Sequence, residues 1–504
     1  MLKKIFFLSI ITFCFACKSV DKISKYNASI TTDKHAVADL KKDVDFTHTL
    51  LKDGHPGLYW YISKQKLDYK FDSLKNSIVE PLTSAEFYKK LTPVVAAIKC
   101  GHTSVKFPAI QYKKEELKDL SKKTFPINQF TYSINNDKLY VLESKSENKS
   151  IRPGTEIVAI EGINTQSILN DFYKLISSDG YNTTHNSRSL ERNFAQYFKI
   201  YYQIKDSVNF QFRTVKDSIG ETYITTLKKS KADTSKNQIK SKQARYPKYV
   251  GQYKDGKAQM DFRFLDEKRN YGYLKIQSFS IVGADYSRFY KQVFDSIAKV
   301  GTDHLVIDLR GNGGGSLEHS RNLFSYLTDK DFVYLQKSLT NGQYDYRKYG
   351  NKWQRFMYFI NGHDDRDYVR QDKNGNLYSF MKGIYPLSAN PKNFKGKLYV
   401  LIDGYTFSAA SLLSANLKGI NRATFIGEET GGGFNQCVAG NLPVVKLKNS
   451  KLAIRFGLYK MSPNAKSDVV GRGIFPDVEI TSSLNDKITG CDREIDWILN
   501  NGNG

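Results

Sequence analysis

LYVLIDGYTFSAASLLSANLKG, residues 398–419, joins a short apolar run to a segment with apolar residues at Ala409, Leu412, Leu413 and Leu417. The first part has the length and content of a buried strand, and the second has the spacing of one helical face. Ser408 stands at the turn between them. A hydroxyl there has an ordinary use as an N-cap, answering an amide at the helix start that has no partner of its own. Whether it also has a chemical use depends on its company elsewhere in the chain.

The same alternation runs from about residue 258. YGYLKI (271–276) reads as a strand, and Tyr286, Phe289, Tyr290, Val293, Phe294 and Ile297 form a helical stripe. HLVIDL (304–309) is the next strand, followed by RGNGGGS and a helix near 317–327, and ATFIG (423–427) is the last of the series. Strands alternating with helices predict an α/β fold with a mainly parallel sheet covered on both faces. In such sheets the chemistry sits at the carboxyl ends of the strands, and both Ser408 and the glycine loop follow such ends. Glycine-rich loops expose backbone N–H groups that can hold a phosphate or a developing oxyanion. The dinucleotide fingerprint fails because no GxGxxG is in register, and no P-loop Lys-Ser/Thr pair follows. Residues at about 330–395 form a long polar and aromatic insertion, with the length of a lid, a binding surface or plain surface decoration.

Upstream, residues 33–106 have helical periodicity, with Val37, Leu40, Val44 and Leu51 on one face and Phe87, Leu91, Val94, Val95 and Ile98 on another. Thr83 and Glu86 form a capping box for the second of these helices, and Gly101 is placed to end it. Residues 125–230 change to β-rich patterning, including LYVLES (139–144) and VNFQFR (208–213), with one embedded helix marked by Ile168, Leu169, Phe172, Leu175 and Ile176. Pro153-Gly154 makes a turn before a further strand. The phrase IRPGTEIVAIEGINTQ resembles a PDZ domain, which implies a groove that captures an extended peptide at a sheet edge.

At 504 residues the chain predicts two to four domains. A net charge of +25 invites a nucleic-acid or membrane reading, but the lysines are spread along the chain, and the dense cluster at 228–248 is interleaved with Ser, Gln, Asn and Asp233. That cluster reads as a solvated linker or loop, and no nucleic-acid partner is expected. The N-terminal MLKKIFFLSIITFCFACKSV has an apolar run of twelve residues, 5–16, short of the roughly twenty needed to cross a bilayer. It reads as a secretory signal, and Ala16-Cys17 resembles a lipoprotein cleavage site. The expectation is export to the periplasm or cell envelope, with membrane attachment through lipid on Cys17. Of the other cysteines, Cys100 and Cys437 flank the motifs discussed here, and the sequence leaves a disulfide between them open. The cysteines and histidines show no zinc-ligand spacing, so neither a metal nor a cofactor is expected.

In chain order, LKIQSF, VIDLRGNGGG, LIDGYTFSAAS and FIGEETGGG, with HPGLYWY and CGHTSV upstream and GRGIFPDVEI downstream, resemble the tail-specific or C-terminal processing protease family of serine peptidases, including its tricorn-like branch. The resemblance covers nearly the whole chain after the signal. After the signal peptide read at 1–17, it implies an N-terminal helical region at 30–110, a PDZ-like domain at 120–235 and a crotonase-like catalytic domain at 258–500 with the insertion at about 330–395. It also implies an exported serine peptidase that hydrolyses polypeptides through an acyl-enzyme. Ser408 matches the nucleophile, with Ser411 the second choice, and Ala409 with Gly313 or Gly314 would supply the oxyanion hole. Where the processing-protease branch carries a lysine base, this chain has Gly433. Lys418 cannot replace it, because ten residues along a helix displace it by about 15 Å. The tricorn-like branch draws its base from an upstream histidine, which is His102 here, while His55 shapes a turn beside Pro56. The family's orienting serine and glutamate fall at Gly101 and Val470, so Glu428, Glu429 and Asp468 are left as candidates for the third member. The alternative is a catalytically silent relative that binds peptides or apolar ligands.

Overall fold

The computed structural model describes residues 22–203, 205–214, 216–228, 253–254, 257–338, 346–350, 355, 369–374, 377–379 and 381–502. The expected signal peptide, Cys17, the lysine-rich cluster beyond Lys228 and parts of the 330–395 insertion lie outside the described residues.

Three helices, α1 (Val37–Gly54), α2 (Lys64–Asn76) and α3 (Ser84–Ala96), bury Leu40, Val44, Leu51, Phe71, Phe87 and Leu91 between them. The capping box forms as expected, with the Thr83 side chain accepting from the Glu86 amide and the Glu86 carboxylate accepting from the Thr83 amide at 2.8 Å. The end of α3 differs from the sequence expectation. The helix stops at Ala96 and the left-handed residue is Lys99, with φ 58°. Gly101 serves packing instead, since a Cβ there would lie 2.6 Å from the Phe407 ring. Beyond it, β1 (Ser104–Lys106) pairs antiparallel with Ala453–Arg455 from the far end of the chain. This pairing fastens the helical region to the sheet domain.

The β-rich region is an antiparallel sheet of β2 (Phe130–Asn135), β3 (Lys138–Ser144), β4 (Glu156–Ile160), β5 (Ser207–Arg213) and β6 (Ile219–Thr225), in that spatial order. It holds two helices where the sequence reading expected one. The expected helix is α4 (Thr165–Tyr173), capped by Asn164. The second is α5 (Thr184–Tyr202), whose buried Leu190, Phe194 and Phe198 recur every fourth position. Arg188, Arg192 and Asn193 dilute that stripe and mask it in the sequence.

The third region carries a six-stranded sheet. In spatial order it comprises β7 (Met260–Phe264), β8 (Tyr271–Ile276), β9 (His304–Asp308), β10 (Lys397–Ile402), β11 (Thr424–Gly427) and β12 (Val478–Glu479). Only β7 runs antiparallel to its neighbour. Both faces are covered, which is why the strands read as unbroken apolar runs. Leu305, Ile307, Val400 and Ile402 join the main core, while Val306, Tyr399 and Leu401 pack toward Ile498 of the C-terminal helix Arg493–Asn501. Helix α6 (Tyr286–Val300) buries the expected stripe. Asp285 caps its start by accepting from the Arg288 amide, and Gly301 ends it at φ 75°. Each of those large apolar side chains contributes about 1.5–3 kcal/mol on burial. The remaining crossover helices, α7 (Leu317–Ser325) and α8 (Ala409–Gly419), both start just beyond strand ends. The fold is thus mixed α/β.

Candidate active site

The turn between β10 and α8 is tied to the glycine loop that follows β9. The Asp403 carboxylate accepts from the Gly311 amide at 3.0 Å, the Thr406 hydroxyl donates to the Leu309 carbonyl at 3.0 Å, and the Phe407 amide donates to the Asn312 carbonyl at 2.9 Å. Ser408 is held at φ 55° and ψ −122°, a conformation that costs a residue with a side chain about 1–3 kcal/mol. Its side chain makes no capping hydrogen bond, so the ordinary use of a serine at this place does not apply. The hydroxyl lies instead 3.0 Å from His102 Nε2, across 306 positions of sequence.

Beside it, the loop leaves no room for a side chain at Gly314, whose φ is 97°. A Cβ there would stand 2.6 Å from the Ser408 Cβ and 2.9 Å from the Ala409 nitrogen. Of the two glycines expected to face an oxyanion, Gly314 already donates its amide to Asn312 Oδ1 at 2.9 Å. The Gly313 and Ala409 amides make no hydrogen bond among the described residues. Ser411, the second choice of nucleophile, donates to the Thr406 carbonyl at 2.8 Å, and no basic side chain is hydrogen-bonded to it among the described residues.

His102 is buried, at 4 % exposure. Burial, with Arg455, His185 and His55 nearby, pushes its pKa down to about 3, so the ring is neutral at ordinary pH. If Nε2 accepts from the Ser408 hydroxyl, the ring proton resides on Nδ1, and that buried nitrogen has no hydrogen-bond partner among the described residues. The three expected orienting carboxylates are placed elsewhere. Glu428 forms a two-pronged pair with Arg188, and Glu429 is bound by Arg472 at 3.0 and 2.5 Å and by the Gly473 amide at 2.7 Å. Asp468 is exposed. The guanidinium groups meet the acceptor needs of both glutamates and leave nothing for His102.

His55 shapes its turn by accepting the Gly57 amide on Nδ1 at 3.2 Å, and it also reaches Thr103, the neighbour of His102, through Nε2 at 3.0 Å. Two further residues escaped the sequence reading. His185, on α5, hydrogen-bonds the Gly404 carbonyl at 3.2 Å and stacks on Phe407, whose other neighbour is His102, with ring centroids 4.8 and 4.7 Å away. Asp179 accepts from the Gly101 amide at 2.8 Å and from the Gly433 amide at 3.2 Å, so one carboxylate spans the turn before His102 and the loop at 431–433. Burial pushes its pKa up to about 6 against the pull of those two amides. Asn182 and Thr184 continue the strap to the Thr430 and Glu429 carbonyls, at 2.8 and 2.9 Å. The signal available was the polar SSDGYNTTHNS (177–187), whose Asp, Asn and Thr suit side-chain to backbone bonding.

The Cys100–Cys437 disulfide does not form. Both are buried free thiols, and the Cys100 Sγ lies 3.9 Å from the Val438 carbonyl. Among the described residues, no group of His, Cys, Asp and Glu could hold a metal ion, and no helix is long and apolar enough to cross a membrane.

Two clefts of about 830 and 800 Å³ meet at His102, Ser408, Gly315 and Leu442. The described ends of the 330–395 insertion supply Tyr334, Leu335, Met381 and Lys382 to the second. A hydroxyl beside a neutral imidazole, flanked by free amides and open on two sides, has the layout needed to add to a carbonyl in an extended chain.

Residues 270–480 match the sequence profile of peptidase family S41. No match was found among curated proteins. Among solved structures, mature CPAF is 15% identical, with a TM-score of 0.62 over 92% of this chain and 96% of that one. Mature CPAF complexed with lactacystin is 16% identical, with a TM-score of 0.63 over 92% of this chain and 97% of that one. At such identities the likeness is one of fold, and it extends beyond the matched segment to the helical and β-rich regions. The matched residues include the glycine loop and the Ser408 turn, so the segment 270–480 is similar to peptidase family S41 over its catalytic motifs, and the chain is a serine-type peptidase.

Proposed function

We propose that the chain is an exported peptidase that cleaves polypeptides through an acyl-enzyme on Ser408, with His102 as general base. The observation that carries this reading is the 3.0 Å approach of His102 Nε2 to the Ser408 hydroxyl. In the first step the hydroxyl proton passes to Nε2 as the Ser408 oxygen bonds to the scissile carbonyl carbon. The carbonyl oxygen becomes an anion, held by the Ala409 and Gly313 amides, and each such donor lowers the barrier by about 3–4 kcal/mol. Nε2 then returns the proton to the leaving amine as the C–N bond breaks. Water repeats the cycle to release the acyl group. Among the described residues no carboxylate faces the transient imidazolium, so the adjacent oxyanion is the negative charge that balances it. The asymmetry favours concerted transfer over a long-lived ion pair.

The finer domain assignments belong to the same proposal: a crotonase-like catalytic domain, a PDZ-like domain at 120–235, a signal ending before Cys17, and lipid on that cysteine. The PDZ-like reading is supported by the outer strand β6, where Ile219 and Tyr223 are 56 and 66 % exposed, a surface suited to strand addition by a peptide. A fluorophosphonate probe tests the chemistry. It should modify Ser408 in the wild type and leave Ser408→Ala unmodified; absence of modification in folded wild type would favour a silent peptide-binding relative. CPAF has been crystallised with lactacystin, which makes that compound a second probe of the same hydroxyl.

A further inference from the structure

The two clefts that meet at Ser408 differ in charge. Among the described residues, the wall of the larger carries Lys106, Arg192 and Arg455 and no Asp or Glu. The other mixes Glu318 with Arg321 and Lys382. Arg192 is already engaged, stacked on the Tyr405 ring at 4.4 Å and donating to the Gly311 carbonyl at 3.3 Å. Lys106 and Arg455 are not.

Both come from the strand pair that delivers His102. Ser104 lies opposite Arg455 and Lys106 opposite Ala453, while Val105 and Ile454 turn into the core. Lys106 and Arg455 are therefore diagonal neighbours on one face, within reach of a shared ligand. Neither meets a carboxylate among the described residues, and the Arg455 guanidinium has only a long 3.5 Å contact with the His102 carbonyl. By contrast, Arg188, Arg310 and Arg472 each pair with a carboxylate. Loss of water and the neighbouring Arg455 lower the Lys106 pKa, and loss of water lowers that of Arg455. Two like charges held together without a counterion are unfavourable in the free protein, and an anion bound between them offsets that cost.

We propose that Lys106 and Arg455 hold a carboxylate of the bound polypeptide, so that the enzyme selects chains bearing a negative charge near the cleaved bond. The inference rests on the peptidase reading and adds a substrate class to it. It also has a consequence for the base. Arg455 is among the charges that depress His102, and a carboxylate paired with Arg455 screens that influence when substrate is in place.

The test uses a proteome-derived peptide library in two forms, with carboxyl groups free or blocked as ethanolamides. Cleavage is read by mass spectrometry, and retention is read on immobilised Ser408→Ala protein. The free form should be cleaved and retained about tenfold better, the gain of one charge-assisted contact, and the advantage should shrink with added salt. Lys106→Gln should bring the ratio toward one. Arg455→Gln should do the same, with Arg455→Lys restoring part of it. If the half-buried Arg455 variants fail to fold, the exposed Lys106 carries the test. Cleavage at a fixed distance from the chain end assigns the charge to the terminal carboxylate, and enrichment of Asp and Glu at one position assigns it to a side chain. Equal handling of both forms, or a preference unchanged in Lys106→Gln, overturns the proposal. Retention on Ser408→Ala reads the charge preference without turnover, and fluorophosphonate labelling reads Ser408 chemistry without a peptide, so either can fail alone.

Discussion

Two polar clusters lie at the carboxyl ends of adjacent strands, and they are built on opposite plans. At the end of β9, buried Asp308 is met by Lys275 at 3.0 Å, Arg310 at 2.9 Å and the Tyr273 hydroxyl at 2.6 Å, and Arg310 goes on to Asp492 and Glu494 at 2.7 and 3.2 Å. Lys275, Arg310 and the Tyr273 bond hold the Asp308 carboxyl far below the usual carboxylate range, even though burial opposes this. Beyond β10, by contrast, and among the described residues, His102 keeps an unpartnered Nδ1, Asp179 has two amides but no cation, and Lys106 and Arg455 have no anion. A cluster whose charges are all answered within the fold acts as a fastening. One that leaves charges unanswered is arranged for something that arrives.

The largest expected effect comes from the second cluster. Ser408→Ala should lower kcat/KM for peptide hydrolysis by at least about 10⁴-fold with the thermal midpoint preserved or raised, because alanine removes the hydroxyl without adding bulk. In the first cluster the currency is stability. Asp308→Asn leaves Lys275 and Arg310 short of a buried counter-charge and should cost about 3–5 kcal/mol in urea unfolding, while the folded fraction still labels at Ser408. If Asp308→Asn were neutral in stability, the contrast between the clusters would disappear.

Asp179 sharpens the comparison through pH. Its folded pKa of about 6 lies above the value of 3.8 for a free aspartate, so the protonated carboxyl favours the folded state. That contribution is complete below about pH 4 and is lost as pH rises through about 6. Between pH 4 and 7 the wild type should therefore lose about 3 kcal/mol relative to Asp179→Asn, which does not titrate. Unfolding measured across that range checks it, and a parallel pair of curves would show that Asp179 is charged throughout. The smallest effect is a baseline outside both clusters: Thr83→Ala, which removes the hydroxyl half of the α3 capping box, should cost about 1 kcal/mol at neutral pH.

Much of the fold is written locally. The α6 stripe, the Thr83 cap and the strand-turn-helix around Ser408 depend on neighbours within a few residues, and periodicity reports them. The long α5 was masked because arginine and asparagine interrupt its apolar face. The end of α3 is not legible locally because Lys99, not a glycine, takes the left-handed turn. His102 was reached only through family resemblance, since nothing local ties residue 102 to residue 408. Asp179, His185 and Arg455 were out of reach for the same reason: each works through a partner more than 70 positions away, respectively Gly101, Gly404 and the His102 carbonyl. The paired glutamates 428 and 429 show the converse, since acidic residues near a site motif read alike whether an arginine claims them or not.

The most direct measurement is the rate at which a fluorophosphonate modifies Ser408 in folded His102→Ala protein, compared with wild type at the same pH. A fall of at least about 100-fold is expected, the scale of a lost general base. An unchanged rate would show that the imidazole does not take the serine proton, and would contradict the proposed mechanism.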